Sequence, residues 1–174
     1  VLIRPETEAD FPAIRRINVE AFADHPYSRH TEHRIVDALR AAGALALSLV
    51  AEIGGETAGH IAFSAAAIDG ADRGWLLLGP LAVLPGLQRR GVGTALVRAG
   101  LAELRLRHAR GCVLVGDPAY YTRLGFRQAI GLRYPGVPDE FVLTLPLAGE
   151  EPAGRVEHHP AFDVPPEPSP SGLP

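Results

Sequence analysis

The sequence predicts a mixed α/β domain with a mainly antiparallel central sheet flanked by helices. Three observations carry that expectation. Three β-rich runs follow one another across Gly54-Gly55 and Asp69-Gly70, the pattern of an antiparallel meander. Two runs of helical period precede the meander. The strongest helical pattern follows it and leads into a buried-type strand.

The elements follow in order. Leu2-Ile3-Arg4 reads as a short strand ended by Pro5. Thr7 stands three residues before Asp10, a variant of the capping box, and Phe11, Ile14, Ile17 and Phe22 then recur at helical spacing, so a helix is expected over 8–23. Thr31 is placed to cap a second helix through Ile35, Val36 and Leu39 that stops at Gly43. Leu45–Ile53 and Thr57–Ile68 form a hairpin around the two glycines, and Arg73–Val83 is the third strand. Gly79-Pro80 interrupts that third strand, which predicts a bulge or a sheet edge there, because proline cannot donate to a ladder. Val92–His108 is the long helix, with Val97, Gly100, Leu101 and Leu104 on one face. Cys112–Val115 is a strand. Asp117-Pro118 opens a short helix that Gly125 ends, and Phe141–Leu147 is a final strand.

At 174 residues the chain is expected to hold one core. All 17 basic residues are arginine, and the net charge is −3. That balance argues against a dedicated nucleic-acid binder, which carries a basic excess. One cysteine excludes a disulfide framework and a multi-Cys zinc cluster. No apolar run approaches the ~18–20 residues of a membrane span, and no charged-then-apolar leader opens the chain, so a cytoplasmic protein without membrane partners is expected. The charge is unevenly placed. Residues 149–174 hold 7 of the 16 prolines and carry −4, whereas residues 1–148 carry +1. The expected division is therefore a body over 1–148 and a Pro-rich acidic tail over 149–174. The tail's apolar patch from Val156 to Phe162 is suited to docking, and Pro165–Pro174 is expected to be extended or mobile.

The chemistry is concentrated between the third meander strand and the long helix. The first turn of a helix presents unbonded N–H groups and a positive dipole end. Gly91 and Gly93 remove side chains from that turn, and Arg89 and Arg90 add charge, so the segment is suited to phosphate or pyrophosphate. A P-loop is excluded because Val92 stands where its lysine must be, and a dinucleotide fingerprint is excluded because position 96 is Leu. The run Gln88-Arg89-Arg90-Gly91-Val92-Gly93 fits [QR]-x-x-G-x-[GA] at every position.

With Leu81-Ala82-Val83-Leu84-Pro85 before it and Tyr120-Tyr121-Thr122-Arg123-Leu124-Gly125-Phe126 after it, that motif resembles the GNAT superfamily of acyl-CoA-dependent N-acetyltransferases over residues 2–147. The run Gly116-Asp117-Pro118-Ala119-Tyr120-Tyr121 looks like a bacterial subgroup of predicted acetyltransferases, a likeness that reaches the tail at Gly154–Phe162. The resemblance implies the acyl-CoA N-acyltransferase fold and acetyl-CoA as cosubstrate without a metal. It implies a small-molecule or peptide amine as acceptor, attacking the thioester directly in a ternary complex. Dimers are common in that family, so a homodimer is a further expectation. Main-chain groups of Leu81, Ala82 and Val83 would meet the pantetheine arm. Gln88, Arg89, Arg90, Gly91, Val92, Gly93 and Thr94 would cradle the pyrophosphate. Tyr121 would touch the cofactor and serve as general acid toward the departing thiolate, with a strand N–H such as that of Val83 polarising the carbonyl.

The chain also departs from the family. Many relatives place an acid near position 80, where this sequence has Gly79-Pro80, and the helix asparagine common among them is not matched, Asp117 beginning the helix instead. The base is therefore open among His60, Ser64, Glu20, His25 and Asp117, and a non-catalytic acyl-CoA sensor or interaction module of the same fold is the alternative. Other features have plainer readings. Asp117 is a helix cap, His60 a core histidine, Cys112 a small buried hydrophobe, Trp75 a sheet residue that lines a groove at most, and His158-His159 are solvated. His30 and His33 are expected one turn apart on a helix without a third metal ligand.

Overall fold

The architecture is taken from a computed structural model, which describes residues 1–168. A nine-stranded sheet holds β1 (Leu2–Pro5), β2 (Leu45–Ile53), β3 (Glu56–Ile68), β4 (Ala71–Val83), β5 (Gly111–Val115), β6 (Arg127–Gln128), β7 (Leu132–Arg133), β8 (Val142–Pro146) and β9 (Gly154–Glu157). Its main path runs β1-β2-β3-β4-β5-β8-β6, and β9 joins β3 to β7. Pairing is antiparallel except between β4 and β5 and between β7 and β9. The helices are α1 (Phe11–Phe22), α2 (Glu32–Ala41), α3 (Val92–Leu106) and the one-turn α4 (Pro118–Tyr121). No helix among the described residues is long and apolar enough to cross a membrane.

Strand alternation divides the core into two layers. Ile61, Phe63, Leu78, Val83, Cys112 and Leu114 face α3, meeting Val92, Leu96, Val97, Leu101 and Leu104. The opposite side of the strands carries Ala66, Ile68, Trp75, Leu77, Val113 and Val142. There α1 crosses β3 and β4, while α2 stands over β2. Gly100 lets α3 approach the sheet: a Cβ there would lie 2.5 Å from the Phe63 ring.

Most of the expected element boundaries hold to within two residues, and the exceptions have physical reasons. The expected helix over 8–23 opens as a 3-10 turn, Glu8–Asp10, before α1. The Asp10 carboxylate accepts from Thr7 N and Oγ1 (2.8 and 2.9 Å), and also from Arg4 and Thr57. It thus ties β1 and β3 to the helix start, and the hydrogen bond from Arg4 holds it well below the usual carboxylate range. Thr31 precedes α2 without capping it through its side chain. His30 lies outside α2 at φ +58°, so His30 and His33 do not share a helix face. Gly79-Pro80 does form a bulge: the register jumps from Ile61–Leu81 to Phe63–Leu78.

The tail is tied to the body through several elements. β9 pairs with β3, Val156 is 1% exposed, and Ala161 and Phe162 pack on Ile35 and Leu39 of α2. Beyond it, the Pro165 carbonyl accepts from Arg34, and Glu167 pairs with Arg15 and His33. The expectation of an extended or mobile Pro165–Pro174 falls, from residue 169 onward, outside the described residues.

Candidate functional site

The β4 strand has two edges with different fates. Toward β3 it is paired from Ala71 to Val83 across two bulges, but toward β5 only Trp75–Leu77 are paired, with Gly111–Val113. Past that rung the two parallel strands part into a V, and the edge of β4 from Leu78 to Val83 has no strand partner among the described residues. The direction of its free groups can be deduced. Leu84 N donates to Ala58 O (3.0 Å), which makes Gly59–Val83 a non-hydrogen-bonded pair of the antiparallel ladder. The N–H and C=O of Val83, and of Leu81 two residues before it, therefore point into the V. Ala82 instead exchanges its bonds with His60, its register partner. Gln88 Nε2 donates to the Val83 carbonyl (3.0 Å) and so fixes the following turn against the strand end.

That turn leads into α3. Arg89 and Gly91 both have left-handed backbones, φ +59° and +85°, which bring successive N–H groups to one side. The first α3 bond runs from Ala95 N to Gly91 O, so the N–H groups of Val92, Gly93 and Thr94 are left for another acceptor. Arg89 and Arg90 are exposed and form no ion pair among the described residues. Over this opening lies Tyr120, its hydroxyl 3.4 Å from Thr94 Oγ1. A Cβ on Gly93 would meet that hydroxyl at 3.0 Å and Val83 at 3.7 Å, so the glycine keeps the cradle open.

Tyr121 turns the other way, as consecutive residues of a helix must. Its ring packs edge-on against Tyr120 and Phe126, with centroids 4.8 and 5.8 Å away, and fits against Gly116, where a Cβ would lie 2.6 Å from it. Burial pushes its phenol well above the ordinary value, and no hydrogen bond among the described residues opposes that shift. The phenol thus keeps its proton, with its ring packed beside Gly116 just past the end of β5.

The remaining candidates separate clearly. Asp117 caps α4, its Oδ1 accepting from Ala119 N (2.9 Å). Glu20 and His25 are on the surface. Ser64 is fully buried and its hydroxyl has no partner among the described residues. His60 is fully buried within a relay. Asn18 Nδ2 faces its Nδ1 at 3.3 Å, Ser48 Oγ faces its Nε2 at 2.9 Å, and Ser48 Oγ donates to Glu6 (2.5 Å), which also holds Arg40. Asn18 Nδ2 can only donate, so Nδ1 accepts and Nε2 carries the proton. Burial lowers the His60 pKa to about 4 despite the nearby Glu6 charge. Burial pushes the Glu6 carboxyl up, but Arg40 and Ser48 outweigh it and hold Glu6 below its ordinary value. Trp75 is buried in the sheet and lines no groove. Cys112 is sealed, with burial pushing its thiol up. No group of three or more potential metal ligands occurs among the described residues.

Tyr120 was legible only as part of a sequence signature. Its place over Thr94 follows from the one-turn geometry of α4, and the signal was the adjacency of two tyrosines that a helix splays by about 100°.

The acetyltransferase (GNAT) domain family matches residues 45–128, which span the meander, the V and the turn. The uncharacterized N-acetyltransferase YhbS of Escherichia coli is 33% identical over 94% of this chain and 99% of its own. A GNAT family acetyltransferase from Brucella melitensis, solved in complex with acetyl-CoA, is 48% identical with a TM-score of 0.84, covering 93% of this chain and 97% of that one. YhbS itself, solved in complex with CoA, superposes with a TM-score of 0.81 over 94% of this chain and 92% of its own. Shared length, shared architecture and the strand–turn–helix motif at its centre together place this chain in the GNAT family of N-acetyltransferases.

Proposed function

We propose that the protein transfers an acetyl group from acetyl-CoA to an amine of a small molecule or peptide, by direct attack within a ternary complex. The observation that carries this reading is the unpaired edge of β4, with Leu81 and Val83 aiming main-chain groups into the V and the edge running straight to the unbonded N–H groups of α3. An extended pantetheine arm fits that edge as an added strand, with Ala82 holding the strand in register through β3. A pyrophosphate fits the Gln88–Thr94 turn, where the helix dipole, Arg89 and Arg90 all favour negative charge. The solved relatives bind acetyl-CoA or CoA in this architecture.

The transfer follows from the same groups. The Val83 N–H, aimed into the V, is placed to polarise a thioester carbonyl. Tyr121 supplies a proton to the thiolate as the C–S bond breaks; its buried phenol retains that proton at any working pH. A non-catalytic acyl-CoA sensor is the second reading, favoured by Gly79-Pro80 standing where relatives carry an acid.

Calorimetry with acetyl-CoA and a thiol-release assay across primary amines and peptide N-termini test both readings. Acetyl transfer requires binding and release. Binding with no release on any amine supports the sensor, and absence of binding overturns both. Tyr121→Phe should lower kcat about 10²-fold while leaving acetyl-CoA affinity within twofold.

A further inference from the structure

Acetyl-CoA carries two separate anionic groups. The pyrophosphate fits the turn before α3. The second group is the phosphate on the 3′ oxygen of the ribose, a dianion set apart from the pyrophosphate by the sugar ring. It needs cations beside the cradle and not within it.

Two further arginines stand in that position. Tyr120 touches the cradle with its hydroxyl, 3.4 Å from Thr94 Oγ1, where a Cβ on Gly93 would meet it at 3.0 Å. The same tyrosine carries Arg123 over its ring, with the guanidinium carbon 5.8 Å from the centroid. Two contacts therefore separate Arg123 from the cradle. Tyr120 and Arg123 are three residues apart in the continuous turn made by α4 and the 3-10 segment Thr122–Leu124, so they project to one side. Gly125 ends that turn at φ +96° and leaves Arg123 at its exposed end.

Arg98 approaches the same contact from α3. It lies one turn beyond Thr94, on the same side of the helix. Arg98 and Arg123 are both exposed, and neither meets a carboxylate within ion-pair distance among the described residues. Asp117, the acid at the start of α4, is turned to the Ala119 N–H as a cap (2.9 Å). Two guanidinium groups without counter-charges thus flank the Thr94–Tyr120 contact, one from each helix.

We propose that Arg98 and Arg123 bind the 3′-phosphate of the CoA nucleotide and make the protein select donors that carry it; this rests on the acyl-CoA reading. A guanidinium offers a phosphate two parallel N–H donors, and the Tyr120 ring holds Arg123 in place before the ligand arrives. The contact favours a CoA thioester over any thioester whose pantetheine arm ends without that phosphate. It acts at the nucleotide end, remote from the thioester, and so on cofactor affinity.

The test is calorimetry on the full chain at low salt with two probes, CoA and 3′-dephospho-CoA, and the readout is the ratio of their dissociation constants. The intact protein should bind CoA about tenfold more tightly. Arg123→Ala should reduce that preference to about threefold. The double variant Arg98→Ala, Arg123→Ala should abolish it, by weakening CoA while 3′-dephospho-CoA stays within about twofold. The ratio separates this role from a structural one: if loss of Arg123 merely let Tyr120 shift, both ligands would weaken together and the preference would survive, which overturns the proposal. Equal binding of the two ligands by the intact protein also overturns it, and in either case the acetyl-CoA reading stands. No binding of either ligand overturns both.

Discussion

Lowering the pH should destabilise this protein through one histidine. His60 is fully buried, and its pKa falls from 6.5 to about 4 because burial penalises its charged form. Its folded-state pKa lies below its unfolded value, so the unfolded chain takes up the proton first. Stability is complete above about pH 6.5 and is lost as pH falls toward 4. A single proton gives a slope of about 1.4 kcal/mol per pH unit inside that window. The loss is about 2 kcal/mol between pH 6.5 and 5, and about 3 kcal/mol over the whole window. Glu6 and Asp10, whose pKa values are also lowered, add their losses only below the ordinary carboxylate range. Urea titrations at half-unit steps from pH 7.5 to 5 measure this directly, because the only tryptophan, Trp75, is 2% exposed and reports the core. His60→Gln can still accept from Asn18 and donate to Ser48 but cannot titrate, and should flatten the slope above pH 5. An unchanged slope in that variant would refute the assignment.

Three further outcomes follow from packing and charge. Gly100→Ala drives a Cβ to 2.5 Å from the Phe63 ring; overpacking of about 1–3 kcal/mol exceeds the ~1 kcal/mol gain in helix propensity, so Tm should fall by a few degrees rather than rise. Glu151→Ala strips the acceptor from Ile130, Gly131 and Leu132 N–H and from Thr144 Oγ1, and should cost about 2 kcal/mol in chemical denaturation. Replacing Arg89 and Arg90 together by Ala should weaken acetyl-CoA binding about tenfold at low salt. The difference should shrink as ionic strength rises, since both arginines are exposed and their attraction is screened.

Elements with a period were legible, and elements without one were not. The meander showed itself because Leu45–Ile53, Thr57–Ile68 and Arg73–Val83 are long and separated by glycine turns. β6 and β7 are two residues each and carry no alternation to detect. β9 is four residues in a proline-rich setting, and only Val156 marks its buried side. The phosphate turn could be read because glycine and arginine at fixed offsets before a long helix describe local chemistry. The His158 contacts could not, because Tyr134 meets it from another part of the fold and Asp163 through a short turn of the tail, and two adjacent histidines in an acidic tail suggest only solvent. His60 shows the same limit from the other side. Its burial was expected from an apolar strand, but Asn18 of α1, Ser48 of β2 and Glu6 just after β1 converge on it.

The division of charge gains its meaning from where the tail goes. The tail's −4 would oppose an anionic cofactor if it lay across the turn before α3. Three of its five acids are instead engaged elsewhere. Glu151 takes backbone N–H groups of the β6–β7 connection, Asp163 takes His158, and Glu167 takes Arg15 of α1 and His33 of α2. Arg34 of α2 closes on the Pro165 carbonyl. Arg89 and Arg90 are left without ion-pair partners among the described residues, at the start of α3, where the first three N–H groups have no helix acceptor. The potential that a phosphate meets is set by those local groups and not by the net charge of −3. The paired acids of the tail thus act on α1, α2 and the β6–β7 connection, away from the turn, and the positive field at the turn survives in a chain that is acidic overall.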